Sequence, residues 1–436
     1  MKNSSNLSII IDMHKVDKII NPIWLLSHQN NSLLKDHSIV IDGNTIRDIL
    51  PKSSSSKKYN SDNNVILSQH LAIPGLIHSY NDSSSRLMET KNHMKNNSKL
   101  KSHIDHEESR VNSKYHSILS QVTIAEMIKN GITTFSDIGL FPDTMIDQAI
   151  KSKVKCNIGF RIQNNATEWA NNENHYLEKS LRIYDLYKGN PDINFFFNPA
   201  SINHISRNVF EKISKIANEL DIPIQMNVNS SEIEIKECMD NHGCTPFEYL
   251  ESLDVLNNKF TIMNSKILSN NEIELIKKYR LNIVIDKSTK ILSKNFNIID
   301  LIHKKVNLIL SSKLKTKHLK SEMLDDMSIF SWLMNIEKHQ ISTNQIFNCT
   351  TINPALSFGT EKQIGTLMIG YSADIVSINI KDIIQSNLLS FDGIERNLKS
   401  SNIDNVWISG NQVMKNKKLL TIEENKMYDR FRKISK

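Results

Sequence analysis

The feature that most constrains the fold is an alternation of short apolar segments with helical patterns, which runs through most of the chain beyond Pro74. The segments Ile132 to Ile138 and Ile222 to Val228 are typical of buried strands, and Asn208 to Leu220 has the amphipathic spacing of a helix. Strands that alternate with helices form βα units on a parallel sheet. The same pattern predicts helices at 122–129 and 176–187, and strands at 195–198, 260–263, 281–285 and 306–310.

The first 70 residues have a different pattern, with short strands and no clear helix. Strands are predicted at Lys18 to Leu26, His37 to Asp42 and Thr45 to Leu50. The turn Asp42-Gly43-Asn44 separates two apolar runs and indicates a hairpin, because glycine accepts the φ that such a turn requires. We expect residues 1–14 to form an N-terminal tail and Ser53 to Asn63 to form a polar linker.

Composition excludes several classes of protein. The 436 residues suffice for a barrel of roughly 250 residues and a smaller second domain. The net charge is +7, but the lysines are scattered without a compact basic block, which argues against nucleic-acid binding. No apolar run reaches the roughly 18 residues of a membrane span, and the N-terminus lacks a signal-type cleavage region. The four cysteines show no C-x-x-C spacing, so we expect buried free thiols in a reducing cytoplasm.

A short apolar run closed by Pro-Gly leads into a strand and then into polar residues: Ala72-Ile73-Pro74-Gly75-Leu76-Ile77-His78-Ser79-Tyr80-Asn81-Asp82. This stretch resembles the first-strand motif of the amidohydrolase superfamily, in the branch of 5-methylthioadenosine/S-adenosylhomocysteine deaminases and chlorohydrolases. In that branch the motif ends in His-x-His, and the two imidazoles hold a catalytic metal. Here those two positions are Tyr80 and Asp82.

Further landmarks of the same family follow in the expected order. They are Ala125-Glu126-Met127, Gly131-Ile132-Thr133-Thr134, Phe141-Pro142-Asp143, Thr351-Ile352-Asn353-Pro354-Ala355, Ile364-Gly365-Thr366-Leu367, Gly370 to Val376 and Val406 to Gly410. The resemblance implies an α/β fold, a (β/α)8 TIM barrel over residues 71–364 with a small β-sandwich domain formed from both chain ends. The sandwich would comprise residues 15–70 and 365–425.

In this family, the metal ligands follow strands one, five, six and eight. The metal that they hold lowers the pKa of a bound water to near 7 and so activates it. The fifth-strand motif aligns with Pro223 to Ser231, which places Asn227 at a ligand and Ser230 at the proton-shuttling glutamate. An amide is a weak neutral ligand, and a serine does not shuttle protons near neutral pH without a partner base. Glu232 and Glu234 are close in sequence, but their offset is expected to place both carboxylates elsewhere.

The remaining ligand positions are also replaced. On strand six the histidine position falls on Asn264, or on Met263 if the alignment slips by one residue. On strand eight Lys313 stands at the aspartate that would bind metal and accept a proton. Lys313 would repel a divalent ion and is expected to neutralise Asp82 across the old metal position. The family would use zinc or iron, whereas this set predicts no metal cofactor.

Other polar residues offer no replacement site. His103, His106 and Glu107 would share one helical face, but we interpret them as part of an exposed polar helix or loop rather than as a metal site. His78 is expected to be packed or hydrogen-bonded rather than catalytic. Asp137 matches a polar position of the family and is interpreted as structural.

Two functional hypotheses follow. The chain is an amidohydrolase-type protein that has lost its metal and its hydrolytic activity and persists as a binding or interaction subunit. Alternatively, it is an active C–N hydrolase with a rearranged or metal-free site. We expect a homodimer or a mixed dimer with an active relative, and a pocket that could still hold a nucleoside.

Overall fold

The computed structural model describes residues 13–27, 32–84, 112–285, 298–311, 322–336 and 341–434. Its strands are β1 His14–Lys15, β2 Lys18–Ser27, β3 Ser32–Lys35, β4 His37–Asp42, β5 Thr45–Pro51, β6 Tyr59–Asn60, β7 Asn64–Pro74, β8 Leu76–His78, β9 Ile132–Asp137, β10 Lys155–Ile162, β11 Ile193–Pro199, β12 Ile224–Asn227, β13 Phe260–Met263, β14 Asn282–Ile285, β15 Asn307–Leu310, β16 Ile375–Asn379, β17 Ile403–Ile408, β18 Asn411–Lys415 and β19 Lys418–Leu419. Its α-helices are α1 Lys52–Lys58, α2 Ser113–Lys129, α3 Pro142–Ser152, α4 Glu173–Tyr187, α5 Arg207–Leu220, α6 Glu232–His242, α7 Pro246–Ser252, α8 Asn270–Tyr279, α9 Ile298–His303, α10 Met323–Ile336, α11 Thr343–Asn348, α12 Ile352–Ser357, α13 Lys381–Gln385 and α14 Glu424–Ile434.

The strands β8 to β15 form a near-closed parallel barrel in which each strand pairs with the next one along the chain. Between the first and the eighth strand, the backbone of Cys349 and Thr350 supplies the hydrogen bonds. The Leu310 amide donates to the Cys349 carbonyl, and the Ile77 amide donates to the Thr350 carbonyl, both at 2.8 Å. The predicted eight-stranded barrel is thereby confirmed.

A second, nine-stranded sheet is built from both ends of the chain. Its order is β19-β18-β17-β16-β7-β2-β4-β5, with β3 paired to β2. The strand β7 therefore lies between β2 from the N-terminal part and β16 from the C-terminal part. This arrangement confirms the predicted second β unit that both chain ends form.

Local sequence explains why these elements form. Gly43 has φ +62° in the turn between β4 and β5, where Asp42 pairs with Thr45, as the hairpin pattern predicts. The helix α5 begins after Ser206, whose side chain accepts a hydrogen bond from the Val209 amide, a favourable N-cap. Its buried residues recur at helical spacing on the face that packs on the barrel: Val209, Phe210, Ile213, Ser214 and Ala217.

Contacts at Gly75 and at Lys155 are among those that join the barrel to the second sheet. Gly75 links β7 to β8, and a Cβ at this position would lie 2.0 Å from Thr133 Oγ1, so the close approach requires glycine. The Lys155 ammonium, at the start of β10, binds both oxygens of Asp374 at 2.5 and 2.7 Å. Both side chains of this ion pair are buried, at 9% and 4% exposure.

Three expectations are corrected. The expected linker Ser53 to Asn63 contains most of helix α1 and strand β6, because Lys58 and Tyr59 both bind Asp48 and Ser55 is buried. The expected N-terminal tail ends earlier than residue 14, since His14 pairs with Tyr59 in β1; residues 1–12 lie outside the described ranges.

The third correction concerns the thiols. All four cysteines are free, but Cys244 is only partly buried. Among the described helices, none combines the length and the hydrophobicity that a membrane span requires.

Candidate functional site

The described side chains that were predicted to replace metal ligands lie at the carboxyl ends of the barrel strands. Asn227 ends β12 and pairs in register with Met263, which ends β13. Asn264 follows with φ +52° and donates from Nδ2 to Asn227 Oδ1 at 2.7 Å. Both candidates for the sixth-strand position therefore lie at the site, and the amides of Asn227 and Asn264 bind each other.

Tyr80 lies in an apolar cluster at the same end of the barrel. Tyr80 packs against the buried cluster of Met263, Val284 and Ile309, which are at most 6% exposed. These three residues come from the adjacent strands β13, β14 and β15. The phenol at the first predicted ligand position is thus part of a packed apolar surface.

Asp82, at the second predicted ligand position, faces a guanidinium. Arg161 Nη1 lies 3.6 Å from Asp82 Oδ2, and both side chains are largely buried. The Ser84 amide donates to Asp82 Oδ1 at 3.1 Å. Arg161, near the end of β10, is thus a cation that sequence reasoning did not assign to Asp82. Lys313, the predicted partner, lies outside the described residues, as do His103, His106 and Glu107.

Ser230 has a carboxylate beside it, contrary to expectation. Its hydroxyl donates a short hydrogen bond to Glu234 Oε2, and its amide donates to the same oxygen at 2.9 Å. The Asn229 amide donates to Glu234 Oε1 at 3.2 Å. Because Asn229 has φ +56° and α6 begins only at Glu232, the chain turns back and brings Glu234 over Ser230.

A buried polar cluster fixes the segment that follows β8. Asp137 accepts hydrogen bonds from the side chain of Asn81, the amide and hydroxyl of Ser83, and the amide of Gly139. Ser83 Oγ also lies 2.9 Å from His116 Nε2. Since Ser83 has one hydroxyl proton and gives it to Asp137, His116 Nε2 is the donor in that contact.

Burial dominates the titration of this cluster. It raises the pKa of Asp137 to about 6, and the nearby Asp82 carboxylate adds to the rise. Hydrogen bonds from Ser83 and Gly139 oppose it. Burial also lowers the pKa of His116 to about 3, so this imidazole is neutral near pH 7. Asp137 thus orders the loop that carries Asp82, which agrees with its interpretation as a structural residue.

His78 ends β8 and is fully buried. Its Nε2 lies 3.4 Å from Ser311 Oγ, just beyond the end of β15. This contact crosses the gap between the first and eighth strands. His78 therefore helps to close the barrel, in line with its expected packed role.

A cavity of about 330 Å³ opens beside these residues. The segments that follow β10, β11 and β12 line it, together with the first turns of α6. Its polar lining includes Arg161, Gln163, Asn203, Asn227, Glu234 and Glu237. The volume lies at the lower end of the roughly 300–1,000 Å³ that is typical of small-molecule sites.

The described residues do not fit a zinc or iron ion. Among them, no group of three or more His, Cys, Asp or Glu side chains is placed to hold a metal. Such ions require imidazole, thiolate or carboxylate donors. The predicted positions provide instead two amides that bind each other, a packed phenol and one carboxylate next to a guanidinium.

Sequence reasoning missed Arg161, the contact between Ser230 and Glu234, and the Ser83–His116 contact. A signal existed for Arg161, because a lone charge near the carboxyl end of a buried strand marks the functional end of a barrel. The hydroxyl–carboxylate contact depends on the left-handed conformation of Asn229, which side-chain patterning does not reveal.

Comparison with known proteins identifies the class. The model of the amidohydrolase family matches residues 71–413, and the chain therefore belongs to the amidohydrolase family. A 5-methylthioadenosine/S-adenosylhomocysteine deaminase of Saccharophagus degradans is 23% identical over 424 residues, covering 95% of each chain. A 5'-deoxyadenosine deaminase of Methanobrevibacter smithii is 24% identical over 427 residues, again covering 95% of each.

A crystal structure of an adenosine deaminase from Xanthomonas campestris with bound zinc has the same fold. Its TM-score is 0.89 at 17% identity, and the match covers 97% of this chain and 98% of that one. The family membership supports hydrolysis of C–N bonds as the ancestral chemistry.

Proposed function

We propose that this chain is a member of the amidohydrolase family that binds a small molecule at the barrel mouth without metal-dependent hydrolysis. The observation that carries the proposal is the packing of Tyr80 on Met263, Val284 and Ile309. An ion and its activated water need space lined by strong donors, whereas this surface is apolar. The chain would then serve as a binding or interaction subunit.

The charges around Asp82 support the same proposal. A guanidinium 3.6 Å from the carboxylate disfavours a divalent cation at that position. The fixed charge also competes for the oxygen lone pairs that a metal would require. No step of a metal-dependent reaction therefore has a suitable set of residues among those that the structure describes.

A second candidate is a metal-free hydrolase, and the hydrogen bond between Ser230 and Glu234 favours it. A carboxylate can take the proton of an attacking hydroxyl. However, both Glu234 carboxylate oxygens also accept hydrogen bonds from backbone amides, so lone pairs that would take up a proton are already engaged. We therefore place this candidate second.

The ligand and the assembly are also proposals. The names of the relatives suggest a nucleoside as one candidate ligand. For the assembly we propose a homodimer, or a mixed dimer with an active relative. A subunit interface that is still needed would explain why a catalytically inactive chain persists.

Assays of the purified protein test the proposed function. We expect no deamination of adenosine or 5-methylthioadenosine and no response to added zinc. Turnover of about 1 per second or more would contradict the proposal. The Ser230→Ala variant distinguishes the two candidates. If the chain is a binding protein, any slow residual hydrolysis should be unchanged in this variant, whereas a metal-free hydrolase that uses Ser230 should lose its activity.

A gain-of-function variant provides the positive control, provided that it folds with an unchanged circular dichroism spectrum. It carries Tyr80→His, Asp82→His, Asn227→His, Ser230→Glu, Asn264→His and Lys313→Asp. This set restores the donors that the family uses, and it should bind zinc.

A further inference from the structure

The cavity at the barrel mouth presents an excess of hydrogen-bond acceptors. Gln163 lines it and is only 6% exposed. Its Nε2 donates to the Tyr176 hydroxyl at 3.1 Å and to the Asn165 carbonyl at 3.4 Å, which fixes the orientation of the amide. Within the described ranges, no donor reaches Gln163 Oε1. This oxygen is therefore available to a ligand that donates.

Asn203 repeats this arrangement on the next loop. Its Nδ2 donates to the Glu234 carbonyl at 3.1 Å and to Glu237 Oε2 at 3.3 Å, so the amide orientation is again fixed. Its Oδ1 is buried and accepts no hydrogen bond from any residue that the structure describes. A buried acceptor without a partner costs free energy, and a ligand that donates would relieve that cost.

Among the described residues that line the cavity, the fixed charge is also negative. Glu234 and Glu237 both line it, and neither has an ion-pair partner among the described residues. Arg161, a guanidinium in the described lining, lies opposite Asp82 and is balanced by that carboxylate. The low dielectric constant of the cavity walls strengthens the electric field of these carboxylates, so the cavity attracts cations and repels anions.

We propose that this cavity binds a small cation that carries several N–H donors, an alkylguanidinium or alkylammonium. The cation would lie against Glu237, and its N–H groups would donate to Gln163 Oε1 and Asn203 Oδ1. The site rests on the proposed function, since it requires ligand binding beside a mouth that holds no metal. It deepens that function by selecting a cationic ligand over a neutral nucleoside.

Calorimetric titration at low salt tests the charge preference with n-butylguanidinium, the neutral n-butylurea and adenosine as probes. We expect the guanidinium to bind at least about tenfold more tightly than the urea, because charge-assisted hydrogen bonds are the stronger ones. Equal affinities for these two probes would overturn the inference. Binding of adenosine alone would also overturn it, while leaving the proposed function intact. Deaminase activity would instead refute the proposed function.

Two variants locate the site. Glu237→Gln should weaken guanidinium binding about tenfold, whereas Glu232→Gln, an exposed residue on the same helix that does not line the cavity, should change it less than about twofold. Thermal unfolding of both variants checks that they fold. Undiminished binding in a folded Glu237→Gln protein would place the ligand elsewhere and overturn the inference.

Discussion

Asp137 should make this protein less stable as the pH rises, which is the opposite of the effect of a carboxyl group with a lowered pKa. The carboxyl is buried, and its pKa is raised from 3.8 to about 6. The folded protein therefore favours the protonated form more strongly than the unfolded chain does. The stabilising contribution is fully present below pH 3.8 and is lost as the pH rises through about 6. Replacing Asp137 with Asn removes this dependence.

The magnitude follows from the pKa difference. A change from 3.8 to about 6 corresponds to about 3 kcal/mol of free energy between the acid and alkaline limits. Between about pH 4.5 and about pH 7.5 the wild-type protein should lose about 2 kcal/mol relative to Asp137→Asn. The variant also exchanges one acceptor oxygen for an amide donor among the contacts to Asn81, Ser83 and Gly139. The loss of this acceptor changes the free energy of unfolding by the same amount at every pH and adds no pH dependence.

Urea denaturation of both proteins, followed by tryptophan fluorescence across this pH range, measures the difference. Asp240→Asn, a change at an exposed carboxylate on α6, serves as the control and should give a curve parallel to that of the wild type. Parallel curves for the wild type and Asp137→Asn would show that burial does not raise this pKa, and would refute the reasoning.

Three further predictions concern packing, the barrel and assembly. Asp374→Ala should lower the free energy of unfolding by about 3–5 kcal/mol, because it leaves the buried Lys155 ammonium uncompensated; a loss below about 1 kcal/mol in urea denaturation would contradict this. Met263→Ala should cost about 2–5 kcal/mol by removing the buried side chain that packs against Tyr80, and an unchanged unfolding midpoint would contradict that packing. Light scattering should report a mass above that of the 50.0 kDa monomer, alone or with an active relative; a monomer mass with every partner tested would oppose the dimer proposal.

Most of the fold could be predicted because its determinants are local. The strand Phe260–Met263 agrees with its predicted bounds, because a short run with β-branched and aromatic residues favours a strand. The helix α2 extends nine residues before its predicted start at Val122, because its first half presents polar residues such as His116 whose burial the sequence does not show. The helix α1 was missed because its four consecutive serines favour caps and turns, and contacts distant in the chain hold the segment in place.

The candidate site was predictable in position but not in its contacts. The predicted strand ends placed Asn227 and Asn264 close together, because side chains that follow parallel strands meet at one end of a barrel. The contact of Arg161 with Asp82 joins residues that are distant in the chain, so spacing could not reveal it. The cavity depends on three loops whose conformations are set by packing rather than by a motif.

The metal content of the purified, unmodified chain tests the central claim most directly. The protein would be incubated with zinc and with ferrous iron, dialysed, and analysed by inductively coupled plasma mass spectrometry, with the six-residue restored variant as the positive control. The proposed function predicts far less than one equivalent of either metal in the unmodified chain, because two amides, a packed phenol and a paired carboxylate bind such ions weakly. About one zinc or iron per chain, retained through dialysis, would contradict it.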